Sequence, residues 1–344
     1  MWRRKIKDVA RDAGVSVGTV SNVLNGGRVS EARRKLVEAS IEKLGYQVNT
    51  LAKGMRMQKT DYVVVILPNL INPYFALLLD ALESELSAVG KQVLLCLSGD
   101  DAEREVAFMD MAKQNKVDGI IGVTYSKVEE ERIENMAFVS IDRHYKSHIP
   151  CVAGDNWQGG WLAAENLHKR GSTNLLCFMT MSSVDSEVRK RRVGFTEYCM
   201  EHDLSCNSVE MSEKQIVSVY ESYGSRKLIH NMLRAYISPS MGEHSIDGIF
   251  TSSDHLAMIV QEELEEMGKR VPEDIQIIGY DGLQFLNQGK PIVSSIAQPV
   301  HEIAKEAVRC LNELIANGKT EGNTKIPVSF QEGPTTKTLV TEEK

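Results

Sequence analysis

No run of apolar side chains among the 344 residues approaches the ~18 that a membrane-spanning helix requires. The longest strand-like run is Tyr62–Leu67. The charged N-terminus is not followed by an apolar segment, so no secretory signal is read there. A soluble, cytoplasmic chain with no membrane partner is expected. The six cysteines, Cys96, Cys151, Cys177, Cys199, Cys206 and Cys310, form no Cys-x-x-Cys pair and stand mostly in apolar runs. That spacing points away from zinc ligands and disulfides and toward buried free thiols. Missing too are a GxxxxGK[ST] loop, a GxGxxG turn opening a helix and a GxSxG elbow. Nothing therefore marks an enzyme, and no cofactor or metal is expected. No short-period repeat or low-complexity tract is present.

Charge is not lacking, but it is unevenly placed. Residues 1–60 hold thirteen Lys and Arg against five acids, a surplus of eight. The whole chain carries −7, so residues 61–344 carry −15. A basic head on an acidic body is the asymmetry of a nucleic-acid reader joined to a separate domain. The length leaves room for a small head and a large core of two lobes.

In the head, Ile6, Val9, Ala10 and Ala13 recur at helical spacing. Gly14 suits a left-handed helix end, Val15 fills the angle between two helices, and Ser16 is placed to cap the next. Val20, Val23 and Leu24 make the stripe of that second helix, which ends near Asn25-Gly26-Gly27. Two short helices around a tight glycine turn predict a helix-turn-helix whose second helix enters a DNA major groove. A helical hairpin that merely packs is the alternative on pattern alone. Ser30 is placed to cap a third helix running to about Leu44, with Leu36, Val37, Ile41 and Leu44 as its inner face and Gly45 as its stop. Beyond Tyr46, Asn49 can cap a short helix that contains Gly54 and has no partner face, so it is expected to order only on DNA or on a second copy.

From Asp61 the texture becomes strand–helix alternation. Strands are read at Tyr62–Leu67, Gln92–Leu97, Gly119–Val123, Ala137–Ile141 and Cys151–Ala153, with helices at Ala76–Val89 and Ala102–Asn115. A second series runs through helix Gly159–Arg170, strand Asn174–Met179, helices Glu187–His202 and Ser222–Tyr236, strand Gly248–Thr251, helix Leu256–Met267 and strand Ile275–Gly279. A late helix Ile303–Ala316 and strands around Val328 and Leu339 return to the lobes. Two βα series predict two doubly wound parallel sheets with a ligand cleft between them.

The head motif IKDVARDAGVSVGTVSNVLNGGRVSEARR, followed by IEKLGYQVN, resembles that of the LacI/GalR family of bacterial transcription regulators. So do the body motifs ILPNLINPYF, IDR, RRVGF, IFTSSDHLA and VPEDIQIIGYDG. The resemblance spans essentially the whole chain. It implies an all-α, lambda-repressor-like helix-turn-helix head at 1–47 and a hinge helix at 48–60. The α/β body it implies is periplasmic-binding-protein-like. Its first lobe comprises 61–156 and 290–318, and its second 157–289 and 319–344. It further implies a homodimer on a pseudo-palindromic double-stranded operator, associated with the nucleoid, and a sugar or sugar-derived effector controlling the repression of carbohydrate genes. An intracellular sugar-binding module and a global catabolite regulator using a phosphoprotein are the alternatives. The tail after Gln331 has no leucine heptad, which favours a dimer over a tetramer.

By the same resemblance, Val17, Gly18 and Asn22 read bases, while Ser16, Thr19, Ser21 and Asn25 touch phosphates or fix the helix. Asn22 stands where arginine is common, and asparagine pairs best with adenine rather than guanine. In the hinge, Asn49 caps, and Met55, with Ala52 on the same face, takes the place of a wedging leucine. Val48 replaces a proline and Gly54 weakens the helix, so this hinge is expected to lean more on DNA. Effector contacts carry over to Asn72, Tyr74, Phe75, Asp142, Arg143, Arg191, Ser253, Asp254, Asp281 and Gln298, with Tyr220 a further candidate. Carboxylates and an arginine in such a cleft suit the hydroxyls of a sugar. Ser253 stands where asparagine is frequent.

Overall fold

A computed structural model describes residues 4–24, 26–46, 60–127, 133, 136–145, 149–181, 184, 186–237, 245–284, 288–320 and 322–339. The chain divides into two compact units, Met1–Thr60 and Asp61–Lys344.

The first unit holds α1 (Ile6–Asp12), α2 (Val17–Leu24) and α3 (Glu31–Leu44). Val9, Ala10, Ala13, Val20, Val23 and Val37 form its core, with Val15 packed against them at the helix–helix corner. Gly14 and Gly45 adopt the left-handed backbone that ends α1 and α3, at φ of +65° and +58°. Ser16 caps α2, its Oγ accepting from Thr19 N at 3.1 Å. Ser30 precedes α3 without a side-chain cap bond. Leu36, expected inside, is 54% exposed. Val37, Ser40, Ile41 and Leu44 already occupy the buried stripe, and Leu36 lies one helical step around from Val37.

The second unit is built on two six-stranded sheets. The first uses β1 (Tyr62–Leu67), β2 (Gln92–Leu97), β3 (Gly119–Gly122), β4 (Phe138–Ile141) and β5 (Cys151–Gly154), with helices α4 (Pro73–Ala88) and α5 (Ala102–Gln114). β1 is apolar throughout because both its faces are covered. Val63, Val65 and Leu67 pack with α4, while Val64 and Ile66 pack with Met109 and Ala112 of α5.

The second sheet uses β6 (Asn174–Met181), β7 (Ser205–Ser212), β8 (Gly248–Thr251), β9 (Gln276–Asp281) and β10 (Ser294–Ala297). Its helices are α6 (Asn156–Lys169), α7 (Lys190–Glu201), α8 (Glu213–Glu221), α9 (Lys227–Ile237) and α10 (Asp254–Glu266). Leu176 and Phe178 face α8, α9 and α10, and Leu175, Cys177 and Met179 face α6 and α7.

After β10 the chain enters α11 (Val300–Asn317), β11 (Thr324–Ile326) and β12 (Ser329–Gln331). The sheet orders are β2-β1-β3-β4-β5-β11 and β7-β6-β8-β9-β10-β12. All pairings are parallel except that of β12 with β10. The lobe boundaries differ here from the sequence expectation. Residues 294–297 belong to the second sheet and 324–326 to the first, whereas 290–318 and 319–344 were expected in the first and second lobes respectively. The chain thus crosses between lobes after β5, after β10 and between β11 and β12. The expected strand around Leu339 is absent, since residues 332–339 carry no strand. β7 and β10 were not anticipated. β7 is a half-exposed edge strand with no apolar alternation, and β10 reads Ser-Ser-Ile-Ala.

Among the described residues no helix is long and apolar enough to cross a membrane.

Candidate functional site

In the head, capping by Ser16 fixes the start of α2, and Val20 and Val23 bury its inner side. What remains outward is Ser16, Val17, Gly18 and Asn22, all exposed, with Thr19 and Ser21 half-buried beside them. One helix end therefore presents hydroxyls, an amide and an apolar contact. The exposed cations Lys5, Lys7, Arg11, Arg28 and Arg33 stand on the same small unit. Groups of this kind can meet base edges and phosphates. Asn25, Asn49, Ala52 and Met55 lie outside the described residues.

In the body, each sheet reverses its winding between two strands, β1 and β3 in the first and β6 and β8 in the second. In doubly wound sheets the crevice beyond the strand ends at such a reversal is where ligands sit. Here the two crevices open into one cleft, lined from the first lobe by Asn69, Asn72, Tyr74, Phe75, Tyr125 and Asp142. Thr180, Val188, Arg191, Ile216, Val217, Tyr220, Ser252, Ser253 and Asp281 line it from the second, and Gln298 from a crossing.

Arg191 organises the floor. Its Nε donates to Asn156 Oδ1 at 2.6 Å and Nη1 donates to Ser252 O at 2.7 Å. The guanidinium lies 3.5 Å above the Tyr280 ring. Burial works against its charge, but Tyr280, Asp281 and Asp142 outweigh that and keep it protonated. Asn156 in turn donates to Asp142 Oδ1 at 3.3 Å. Burial raises the Asp142 carboxyl from its ordinary range, against the pull of Arg191. Burial also pushes Asp281 up to about 7, with Arg191 again opposing. Gln298 Nε2 donates to Asp281 Oδ1 at 2.8 Å. Three buried polar atoms on this cleft, Tyr74 OH, Asp281 Oδ2 and Gln298 Oε1, have no hydrogen-bond partner among the described residues. Buried groups left unsatisfied call for an explanation, and a ligand with hydroxyls supplies one.

Asn72 caps α4, accepting from Tyr74 N at 3.1 Å, and so aims the Tyr74–Phe75 pair into the cleft. Phe75 serves the core and the cleft together. Ser253 Oγ accepts from Leu256 N at 3.1 Å and meets Tyr220 OH at 2.9 Å. Tyr220 also stacks on His255, ring centroids 3.9 Å apart.

Two expected cleft residues face elsewhere. Arg143 donates to Ser126 O at 2.6 Å and Thr124 Oγ1 at 3.2 Å, and lies over the Tyr145 ring. It ties strand ends of the first lobe together. Asp142 adopts a left-handed backbone, φ +59°, just after β4, and the turn it makes sends Arg143 to the loops of its own lobe instead of the cleft. Asp254 accepts from Leu283 N at 2.7 Å and from Ser295 Oγ at 2.6 Å, buried behind Ser253. It locks loops of the second lobe. Conversely, Asn69, Tyr125, Thr180 and Ser252 were missed. Asn69, Tyr125 and Ser252 follow the carboxyl ends of β1, β3 and β8, and Thr180 is the penultimate residue of β6, so the strand-end rule applied to the two reversals would have found them.

A small DNA-reading head joined to a hinged, two-lobed small-molecule receptor is the class these features define. Residues 5–49 match the model for bacterial regulatory proteins of the lacI family, and residues 164–336 that for a periplasmic binding protein-like domain. A sucrose operon repressor of Pediococcus pentosaceus is 32% identical over 333 residues, 96% of this chain and 98% of that protein. The body is similar to a periplasmic binding protein/LacI transcriptional regulator from Alkaliphilus metalliredigens QYMF complexed with D-xylulofuranose. That likeness has a TM-score of 0.69 and 26% identity, covering 81% of this chain and 100% of that one. The lac repressor dimer bound to operator and an anti-inducer shares the fold at a TM-score of 0.78 and 22% identity, covering 97% of this chain and 99% of that one. The chain belongs to the LacI family of bacterial regulatory proteins.

Proposed function

We propose that this protein is an operator-binding repressor of carbohydrate genes, released or engaged by a sugar bound between the lobes of its body. The observation that carries the effector half is the set of unpartnered Tyr74 OH, Asp281 Oδ2 and Gln298 Oε1 beside the buried Arg191 and Asp142, which are joined through Asn156. A sugar ring offers alternating hydroxyls that both donate and accept. Its hydroxyls would donate to Asp281 and Gln298 and accept from Tyr74 and Arg191. The groups come from both lobes, so a bound ring favours one lobe angle, and its differential affinity for the two angles is the signal.

The DNA half rests on the exposed first turn of α2. Val17 would contact a thymine methyl, Asn22 would pair with adenine N6 and N7, and Ser16, Thr19 and Ser21 would bond phosphates. Asn25 would join them, and Asn49, Ala52 and Met55 would serve a minor-groove hinge. A homodimer places two heads on two half-sites. The family is made of regulators, and no catalytic role is assigned to this chain.

The test is capture of fragments of the source organism's own DNA by the full protein, with and without a panel of sugars. Enrichment of one pseudo-palindrome beside carbohydrate genes, altered by one compound, is the expected result. No enriched fragment under any condition overturns the proposal.

A further inference from the structure

The effector cleft does not end at the floor built by Arg191. It continues outward past Asn69 and Val217, which it shares with a second, wider chamber. This outer chamber is made differently. Its inner wall is apolar, formed by Leu70, Ile71 and Leu97, and Leu70 is left 39% exposed. At its edge stand two cations, Arg104 from the first lobe and Lys214 from the second, and neither makes an ion pair among the described residues. Asp100, in the loop after β2, contributes a carboxyl whose buried Oδ1 has no hydrogen-bond partner among the described residues. Glu221, on the last turn of α8, completes the rim.

Donors and acceptors thus surround an apolar wall, and the two cations are balanced by the two carboxylates. A phosphate would be served by a surplus of cations, which this rim does not have. A neutral sugar ring fits it: its C–H face lies on leucine and isoleucine, and its hydroxyls bond the mixed rim. Combined with the set of unpartnered groups on the inner floor, the geometry points to an uncharged effector of two linked sugar rings. One ring sits on Arg191 and Asp281, and the other against Leu70 and Leu97 between Arg104 and Lys214. This inference rests on the sugar-effector reading above and specifies its ligand. Contacts from both lobes at both chambers give the second ring a direct hold on the lobe angle.

The experiment is calorimetric titration of the full protein with glucose, fructose, sucrose, maltose, cellobiose and glucose 6-phosphate, in parallel with operator binding. One uncharged disaccharide is expected to bind at least tenfold tighter than either of its component monosaccharides and to change operator affinity. Leu70→Trp, which fills the chamber, and Lys214→Ala, on an exposed side chain whose loss spares the core, should each reduce that ratio at least threefold. A monosaccharide or glucose 6-phosphate that binds tightest, with a ratio neither variant moves, overturns the two-ring assignment while leaving a sugar effector standing. If no sugar of any size binds or alters operator affinity, the effector reading itself fails and this inference falls with it.

Discussion

Helices α6 and α7 approach so closely that two glycines are required where they cross, and Gly160→Ala tests that contact. A Cβ on Gly160 would stand 1.8 Å from the carbonyl oxygen of Arg191, and one on Gly194 would stand 2.0 Å from that of Trp157. Carbons of this kind are not found within 3.0 Å, so the helices must part by at least about 1.2 Å. The obstacle is backbone on both sides, which cannot rotate away. Overpacking of a core costs ~1–3 kcal/mol, and this site belongs at the top of that range. For a body of this size, ~3 kcal/mol corresponds to a fall in Tm of roughly 6 °C.

The struck atom belongs to Arg191, whose bonds of 2.6 and 2.7 Å to Asn156 and Ser252 do not survive a shift of that size. Effector affinity should therefore fall by about tenfold or more, as expected for loss of a charge-assisted hydrogen bond. Thermal unfolding followed by circular dichroism and calorimetric titration with the effector read the two effects. Gly224→Ala is the control. Its Cβ would meet only Ser222 Oγ, at an ordinary contact distance of 3.7 Å, and it should change neither quantity. A Gly160→Ala protein that melts within about 1 °C of the parent and keeps its effector affinity would refute the helix contact and the argument built on it.

Two further outcomes are expected. Asp281, raised to about 7 by burial, binds its proton more tightly folded than unfolded. Its stabilising contribution is therefore full below about pH 4 and is lost as pH rises through 7. Its ionised form is the better acceptor of sugar hydroxyls, so effector affinity should climb between about pH 6 and 8. Asp281→Asn should abolish that climb in titrations across pH, and should leave the stability profile flatter in denaturant melts. On the DNA side, operator affinity should fall steeply with salt, and Asn22→Ala should cost about 1–3 kcal/mol at one base-pair position. A flat salt response in gel shifts, or unchanged discrimination at every base, would remove the exposed face of α2 from the operator.

The sequence revealed what local chemistry decides. Gly14, Ser16 and Gly45 set the helix ends of the head, and the continuous apolar run of β1 announced a strand covered on both sides. What it concealed was direction and pairing. Arg143 and Asp254 occupy motif positions beside true cleft residues, and only the left-handed turn at Asp142 and the start of α10 decide which neighbour faces the ligand. β7 carries polar side chains because it is an edge, so the strand that leads into α8 went unread, and of the cleft wall on α8 only Tyr220 was a candidate while Val217 was missed. The exchange of β10 and β11 between the expected lobes is a matter of partners far away in sequence, which no local pattern encodes. The cleft residues Thr180 and Ser252 escaped notice because hydroxyls at a strand end are common; their meaning comes from the reversal of winding beside them.

The three crossings between lobes bear on how the chain comes to be folded. β11, at the edge of the first sheet, is made more than 150 residues after β5, the strand it pairs with, judging by its place at Thr324–Ile326 against Cys151–Gly154. α11, which covers one face of that sheet, is likewise delayed. The first lobe therefore leaves the ribosome with an open edge and a bare face, and waits for the second lobe to be synthesised before it can close. Contacts of such long sequence separation slow folding and expose unpaired strand edges meanwhile. Removing β11 and β12 should accordingly undo both lobes together rather than trim one of them.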